Sequence, residues 1–290
     1  MRFTIWHSTG DPDDYIETAI AAEQAGFTST ALHESVFYPK SASAPYPYSD
    51  DGERHWEPDA PFLDPMVTLA AIFASTTTLR AYTYVLKFPL HHPLLVYKRA
   101  ATLHAISHGR FGLGVGQAVW PEEFEYTQTD FASRRERLLE GIEIIRLAGT
   151  GEMFEYHGQH YDFGPLLSSP GIPGDMPIYI GGHKMPSLRM AVDVADGWVG
   201  VPSTWEETER CVKRLHELLD ERGRSREDFE IHGGALEAKT LEDFRRLEDM
   251  GLTDIVVSPT PDYATHAGEL TTRDKVEWVE RFGDKVLARV

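Results

Sequence analysis

The chain has 290 residues, room for two ordinary domains or for one barrel of the kind that uses roughly 250 residues. Acidic residues outnumber Lys plus Arg by 46 to 28, and the resulting formal charge of −18 argues against nucleic acid and anionic membranes as partners. A single cysteine, Cys211, leaves no intrachain disulfide to form, and the opening MRFTIWHSTGDPDDY meets acids too early for a signal peptide. With no apolar run of roughly 18 residues anywhere, no transmembrane helix is expected and a cytoplasmic location is.

In chain order, short β-type runs alternate with longer amphipathic patterns. Strands are expected at Phe3–Trp6, Ser29–His33, Leu79–Phe88, Arg110–Gly116, Pro177–Gly182, Gly197–Val201, Phe229–Ala235 and Thr253–Pro259. Helices are expected at Asp13–Gln24, with acids in the first turn and Gly26 just beyond its end, and at Thr204–Arg222, with Val212, Leu215, Leu218 and Leu219 on one face. Two more follow at Thr240–Met250 and Arg273–Leu287. Parallel strands need crossovers, so this alternation implies a parallel sheet. Its eight units fit a closed (β/α)8 TIM barrel, an α/β fold formed by residues 1–290 as one domain. An open dinucleotide-binding sheet would carry a Gly-rich turn after its first strand, where this chain reads WHSTGDPDD.

Two stretches exceed ordinary loop length, Val36–Asp64 after the second strand and Gly149–Met176 before the fifth. The first belongs on the C-terminal face, where barrel active sites lie. Its Phe37, Tyr38, Tyr46, Tyr48 and Trp56 would either line a pocket or pack the loop onto the rim.

Three segments carry candidate chemistry. GLGVG (Gly112–Gly116) places glycines alternately along a strand instead of opening a helix, so neighbouring backbone or a flat ligand must approach closely there. In PIYIGGHKMPSLRM, a strand ends in Gly181-Gly182 and a helix starts near Pro186-Ser187, a combination that gathers N–H groups and a helix N-terminus into an anion or phosphate site beside Lys184 and Arg189. His33-Glu34-Ser35 leaves the second strand at the catalytic face and is the best-placed acid/base group. Of the 13 histidines the tightest clusters, His91-His92 and His157-Gly158-Gln159-His160, show no zincin spacing and no neighbouring Cys, so no metal is expected; His91-His92 before Pro93 reads as surface or helix capping. Hydrolase chemistry is disfavoured, since no GxSxG elbow exists and Cys211 falls within a helical pattern.

The order and spacing of AEQAGFTSTALHESVFYP, APYPYSDDG with its following W-x-P, the run from Asp64 to Gly116, Trp120–Arg146 and PIYIGG…ADGW resemble the luciferase-like monooxygenase superfamily, in its branch of probable F420-dependent oxidoreductases. The resemblance covers nearly the whole chain and is weakest over the last ~90 residues. It implies a TIM barrel with a flavin or deazaflavin in the C-terminal mouth. The ring would lie against Thr83, Tyr84 and Val85, where relatives often form a bulge with a non-prolyl cis peptide. Gly116 and Gln117 would approach the ring or its side chain, and Gly181, Gly182 and His183 would hold the phosphate. Glu34, with His33 or Ser35, would handle protons. The chain departs from many relatives in having Ser35 where they carry a proton-donating His, and Tyr82-Thr83-Tyr84 where they carry Gly-Thr-Gly.

The expected function is therefore hydride transfer between coenzyme F420 and a small, partly apolar organic substrate, by a homodimer. The alternatives are an FMN-dependent monooxygenase fed by a partner reductase, and a barrel that binds a ligand without catalysis.

Overall fold

The computed structural model describes residues 1–7, 10–49, 51–54, 56–172, 176–259 and 270–290. The barrel strands are β1 (Arg2–His7), β2 (Ser29–Leu32), β3 (Arg80–Thr83) continued by β4 (Leu86–Lys87), β5 (Phe111–Gly116), β8 (Ile178–Gly181), β9 (Gly197–Val199), β10 (Glu230–Gly233) and β11 (Asp254–Val257). Every neighbouring pair is parallel, the order runs β3-β2-β1-β11-β10-β9-β8-β5-β4, and a β3–β5 pairing closes the circle. With β3 and β4 counted as one broken strand, this is a (β/α)8 TIM barrel, and each strand predicted from sequence is present.

The surrounding helices are α1 (Pro12–Ala25), α2 (Pro65–Ser75), α3 (Pro93–Ile106), α4 (Pro121–Tyr126), α5 (Arg134–Gly149), α6 (Met185–Val194), α7 (Trp205–Arg222), α8 (Leu241–Met250) and α9 (Thr272–Lys285). Period-2 alternation divides each strand between two cores. Phe3 and Ile5 face outward, Phe3 meeting Phe244 of α8 and Phe282 of α9 edge-on at 5.3 and 5.4 Å. Thr4 lies within the barrel, as do Trp6, Ala31, Tyr82, Tyr84, Tyr179, Val199 and Val256. The lower end of that interior is polar and closed. Glu230 accepts from Arg2 at 2.7 Å and from the Tyr179 hydroxyl at 2.5 Å, and pairs with His232 at 3.1 Å. Burial works against this carboxylate, yet His232, Tyr179 and Arg2 hold its pKa far below the usual range.

One expectation is corrected. Gly149–Met176 is not a plain loop but carries an antiparallel hairpin, β6 (Phe154–His157) with β7 (Asp162–Leu166). The alternation FEYH was its signal, with Phe154 and Tyr156 turned toward Phe163. Glu140 of α5 fastens the tip by accepting the N–H groups of Gln159, His160 and Tyr161. Positions 50 and 55 of the first long segment and 173–175 of the second lie outside the described residues.

Candidate active site at the barrel mouth

The third strand is irregular where it reaches the mouth. Tyr82 pairs with Gly112 and Leu86 with Val115, so four steps along β3–β4 oppose three along β5, a bulge of one extra residue. The Tyr84–Val85 peptide at this bulge is cis. The alternating glycines of β5 make room for it. A β-carbon on Gly114 would lie 1.9 Å from the Thr83 carbonyl oxygen, and one on Gly116 would lie 2.6 Å from a Val85 methyl. A β-carbon on Gly181, across on β8, would lie 2.9 Å from the other Val85 methyl. The close approach expected at GLGVG is thus made by the neighbouring strand itself.

These contacts sort the predicted ring-side residues. Thr83 is fully buried, its hydroxyl donating to the Gly114 carbonyl at 2.6 Å. Tyr84 points down into the barrel, donating across it to the Gly200 carbonyl and packing near Trp6 and Tyr82. Val85 is half-buried at the level of Gly116 and Gly181. Gln117 is also half-buried, and Ala118 beside it adopts the left-handed conformation at φ 61°, which L-residues take only at a cost.

Beyond β8, Gly182 has φ 114° and its missing β-carbon would touch the Ser187 hydroxyl at 2.8 Å. Like those of α1, α4 and α5, the α6 N-terminus that follows has no side-chain cap, but unlike those it has no acid in its first turn. Pro186 has no N–H and the Ser187 and Leu188 N–H groups donate to the Lys184 carbonyl, so an anion there would rely on the Ser187 hydroxyl, the helix dipole and the backbone ahead of Pro186, with no opposing carboxylate on that turn. Sequence reasoning placed the helix start but did not single out Ser187. His183 is half-buried, stands 3.5 Å from Glu207 and is held below its usual pKa by burial, which outweighs Glu207. With Cys211 these two bring donor atoms within 4.8 Å of one another, a metal-like grouping. The Arg210 guanidinium already occupies it, at 2.6 Å from Glu207 and 3.4 Å from the Cys211 sulfur, and burial pushes that thiol up to about 12.

The three proton-handling candidates lie together at the end of β2, but two are committed. Trp6 donates its indole N–H to His33 Nδ1 at 3.2 Å, and burial followed by the charge of Lys87 brings His33 down to about 4, so the imidazole is neutral at pH 7. Glu34 is buried and uses both oxygens, one accepting the Lys87 backbone N–H at 2.6 Å and the other 2.9 Å from His91 Nε2. Ser35 is half-buried. Residues the sequence did not single out complete the cluster: the Lys87 ammonium pairs with fully buried Glu123 and sits 5.3 Å from the Trp120 ring. His92 caps α3, as expected, by accepting the Leu94 N–H.

Over the mouth lies the segment 36–64, without helix or strand among its described residues. Ring contacts hold it down: Phe62 on His33 at 5.0 Å, Trp56 on Phe62 and Trp120 at 5.6 and 6.1 Å, Tyr46 on Trp56 at 5.1 Å, and Tyr48 on His183 at 5.7 Å. The row runs from the end of β2 past β5 to the end of β8, packing the rim and roofing the mouth at once. Phe37 and Tyr38 sit farther out, on Tyr126 and under Arg54.

The family model for luciferase-like monooxygenase matches residues 1–236. The chain belongs to that family. Over all 290 residues, 100% of both chains, it is 38% identical to an uncharacterized protein of Mycobacterium tuberculosis. It is 28% identical to an F420-dependent glucose-6-phosphate dehydrogenase of Nakamurella multipartita over 233 residues, 71% of this chain and 61% of that one. The crystal structure of a monooxygenase from Streptomyces bottropensis superposes with a TM-score of 0.77 at 19% identity, covering 100% of this chain and 99% of that one. No helix among the described residues is long and apolar enough to cross a membrane.

Proposed function

We propose that this luciferase-like protein is an oxidoreductase that moves a hydride between coenzyme F420 and a small, partly apolar organic substrate. The observation that carries the reading is the pairing of the Val85 bulge, against Gly116 and Gly181, with the uncapped α6 N-terminus beside Gly182. One would offer an apolar step for a ring and the other a cradle for its phosphate, on strands of one mouth with β5 between them. The F420 dependence of the Nakamurella relative supports the choice of deazaflavin.

When bound, the coenzyme would supply the hydride chemistry. Gly182, His183 and Ser187 would bind its phosphate, with Gly181, Val85, Gly116 and Gln117 near its ring. Thr83 and Tyr84 support the bulge from within the barrel. Glu34 acts through Lys87 and His91 as a positioning residue, and neutral His33 is a hydrogen-bonding wall. The aromatic row of segment 36–64 would exclude water and meet the apolar part of the substrate. A cytoplasmic homodimer completes the proposal: a buried lone thiol suits a reducing compartment, and Val67 of α2 and Leu95 of α3 present exposed apolar surface for a second copy.

A second reading, an FMN-dependent monooxygenase, draws on the monooxygenase of the same fold. Ser35 in place of the family His supports a third, a barrel that binds without turnover. The phosphate assignment is tested with Gly182→Val, strained at φ 114°, and with the milder Ser187→Ala. Both should retain the far-UV CD of the parent and weaken F420 binding, Gly182→Val by more than about tenfold. Unchanged affinity in both variants refutes it.

A further inference from the structure

We infer that Glu123 is the proton store of the mouth, taking up one proton when a ligand covers the site, and that Lys87 is the residue that positions it. This deepens the oxidoreductase reading and rests on it, since hydride delivery to a carbonyl carbon requires a proton for the carbonyl oxygen.

The geometry is unusual for a structural ion pair. Glu123 is fully buried; one carboxylate oxygen is on the Lys87 ammonium, and the other, Oε2, accepts no hydrogen bond among the described residues. A buried carboxylate leaving an oxygen unused is expensive unless that oxygen can carry a proton. Lys87 faces two carboxylates, Glu123 on its ammonium and Glu34 on its backbone N–H, with His91 on the far side of Glu34. Glu122, next along α4, turns its carboxylate to the Ser43 N–H, and Arg54 stands 5.6 Å from the Trp120 ring. Neutral His33 adds no cation. Burial accordingly pushes the Glu123 carboxyl up, against the pull of Lys87, and the Glu34 charge adds to the rise.

The pair lies where a ligand would change its solvation. Lys87 is the ladder partner of Gly116, at the mouth end of β5, and its side chain keeps 13% of its surface in water. Covering the mouth would remove that water and favour the neutral Glu123 carboxyl, with the Glu34 carboxylate left to balance the Lys87 charge. Glu123 would then hold a proton beside the site. The group carrying the family's proton-donating His is Ser35 here, and Glu34 and His33 are already committed.

The test is calorimetric titration of the whole protein with F420 and with FMN, near neutral pH in buffers of different ionisation enthalpy. About one proton should be taken up per ligand bound, with affinity falling by up to tenfold per pH unit as pH rises. Glu123→Gln should still bind while taking up none. Uptake that persists in Glu123→Gln, or binding of either ligand by the parent without uptake, overturns the inference. Failure of F420 alone to bind counts against the F420 reading and leaves the FMN arm to decide on Glu123. A second arm needs no ligand: relative to the parent, Glu123→Gln should gain thermal stability as pH rises from 5 to 8, because only the parent must keep a carboxylate charged in the interior. A difference that stays flat with pH overturns the inference even if neither ligand binds.

Discussion

Val85 occupies the space that a side chain on Gly116 would need: a β-carbon there falls 2.6 Å from a Val85 methyl. The strand that bulges and the strand that carries alternating glycines are therefore one device. Gly116→Ala should cost about 1–3 kcal/mol in urea unfolding, and at least about 1 kcal/mol less in a Val85→Ala background. Gly114→Ala has no such rescue, because its obstacle at 1.9 Å is the Thr83 backbone oxygen, and a loss of at least about 3 kcal/mol is expected. Additive effects of Gly116→Ala and Val85→Ala would show that the two residues do not compete for space.

Glu23 predicts an acid limb of stability. Its Oε1 accepts the backbone N–H groups of Thr77, Thr78 and Leu79 at 2.5–2.8 Å. Burial works against the charge, but these N–H groups prevail and hold the carboxyl at about 2, below the ordinary 4.5. A depressed carboxyl contributes stability above its ordinary pKa and loses it as pH falls toward the folded value. Glu23→Gln should cost about 1–3 kcal/mol at pH 7, and the difference should fade between about pH 4.5 and 2. An equal deficit at pH 7 and pH 2.5 contradicts the assignment.

Trp56 is the tryptophan within the roofing segment; it ties the segment to Trp120 and braces Phe62 inside it. Trp56→Ala should make proteolysis within 36–64 several-fold faster while the barrel stays folded, since ring contacts, not a helix or strand, fasten the segment. Cleavage at the parental rate would mean that the main-chain ties, Ser43 to Glu122 and Trp120 to Ala44, suffice.

The fold was legible because barrel strands advertise themselves twice, by β-type runs and by the helices between them. The hairpin β6–β7 was less so, since strands of four and five residues leave little periodicity to read. At the site, Gly181-Gly182 before a helix start is a local pattern and could be seen. Lys87 and Glu123 could not, because 36 residues separate them and nothing in either neighbourhood announces the other. Glu34 was noticed for its position, while its partners Lys87 and His91, 53 and 57 residues away, emerge only from the closed barrel.

A homodimer would bury the exposed apolar side chains of α2 and α3. Light scattering should give twice the 32.7 kDa chain mass for the parent, and Val67→Glu with Leu95→Glu should give a monomer. A dimer unaffected by both changes would place its interface elsewhere.

The most direct measurement is a fluorescence titration of the purified protein with F420 and, separately, with FMN. Saturable binding of F420, lost in Gly182→Val, is the predicted result. Saturable binding of FMN alone would contradict it and make oxygen consumption the next assay; binding of neither to the folded protein would leave a barrel without the proposed chemistry.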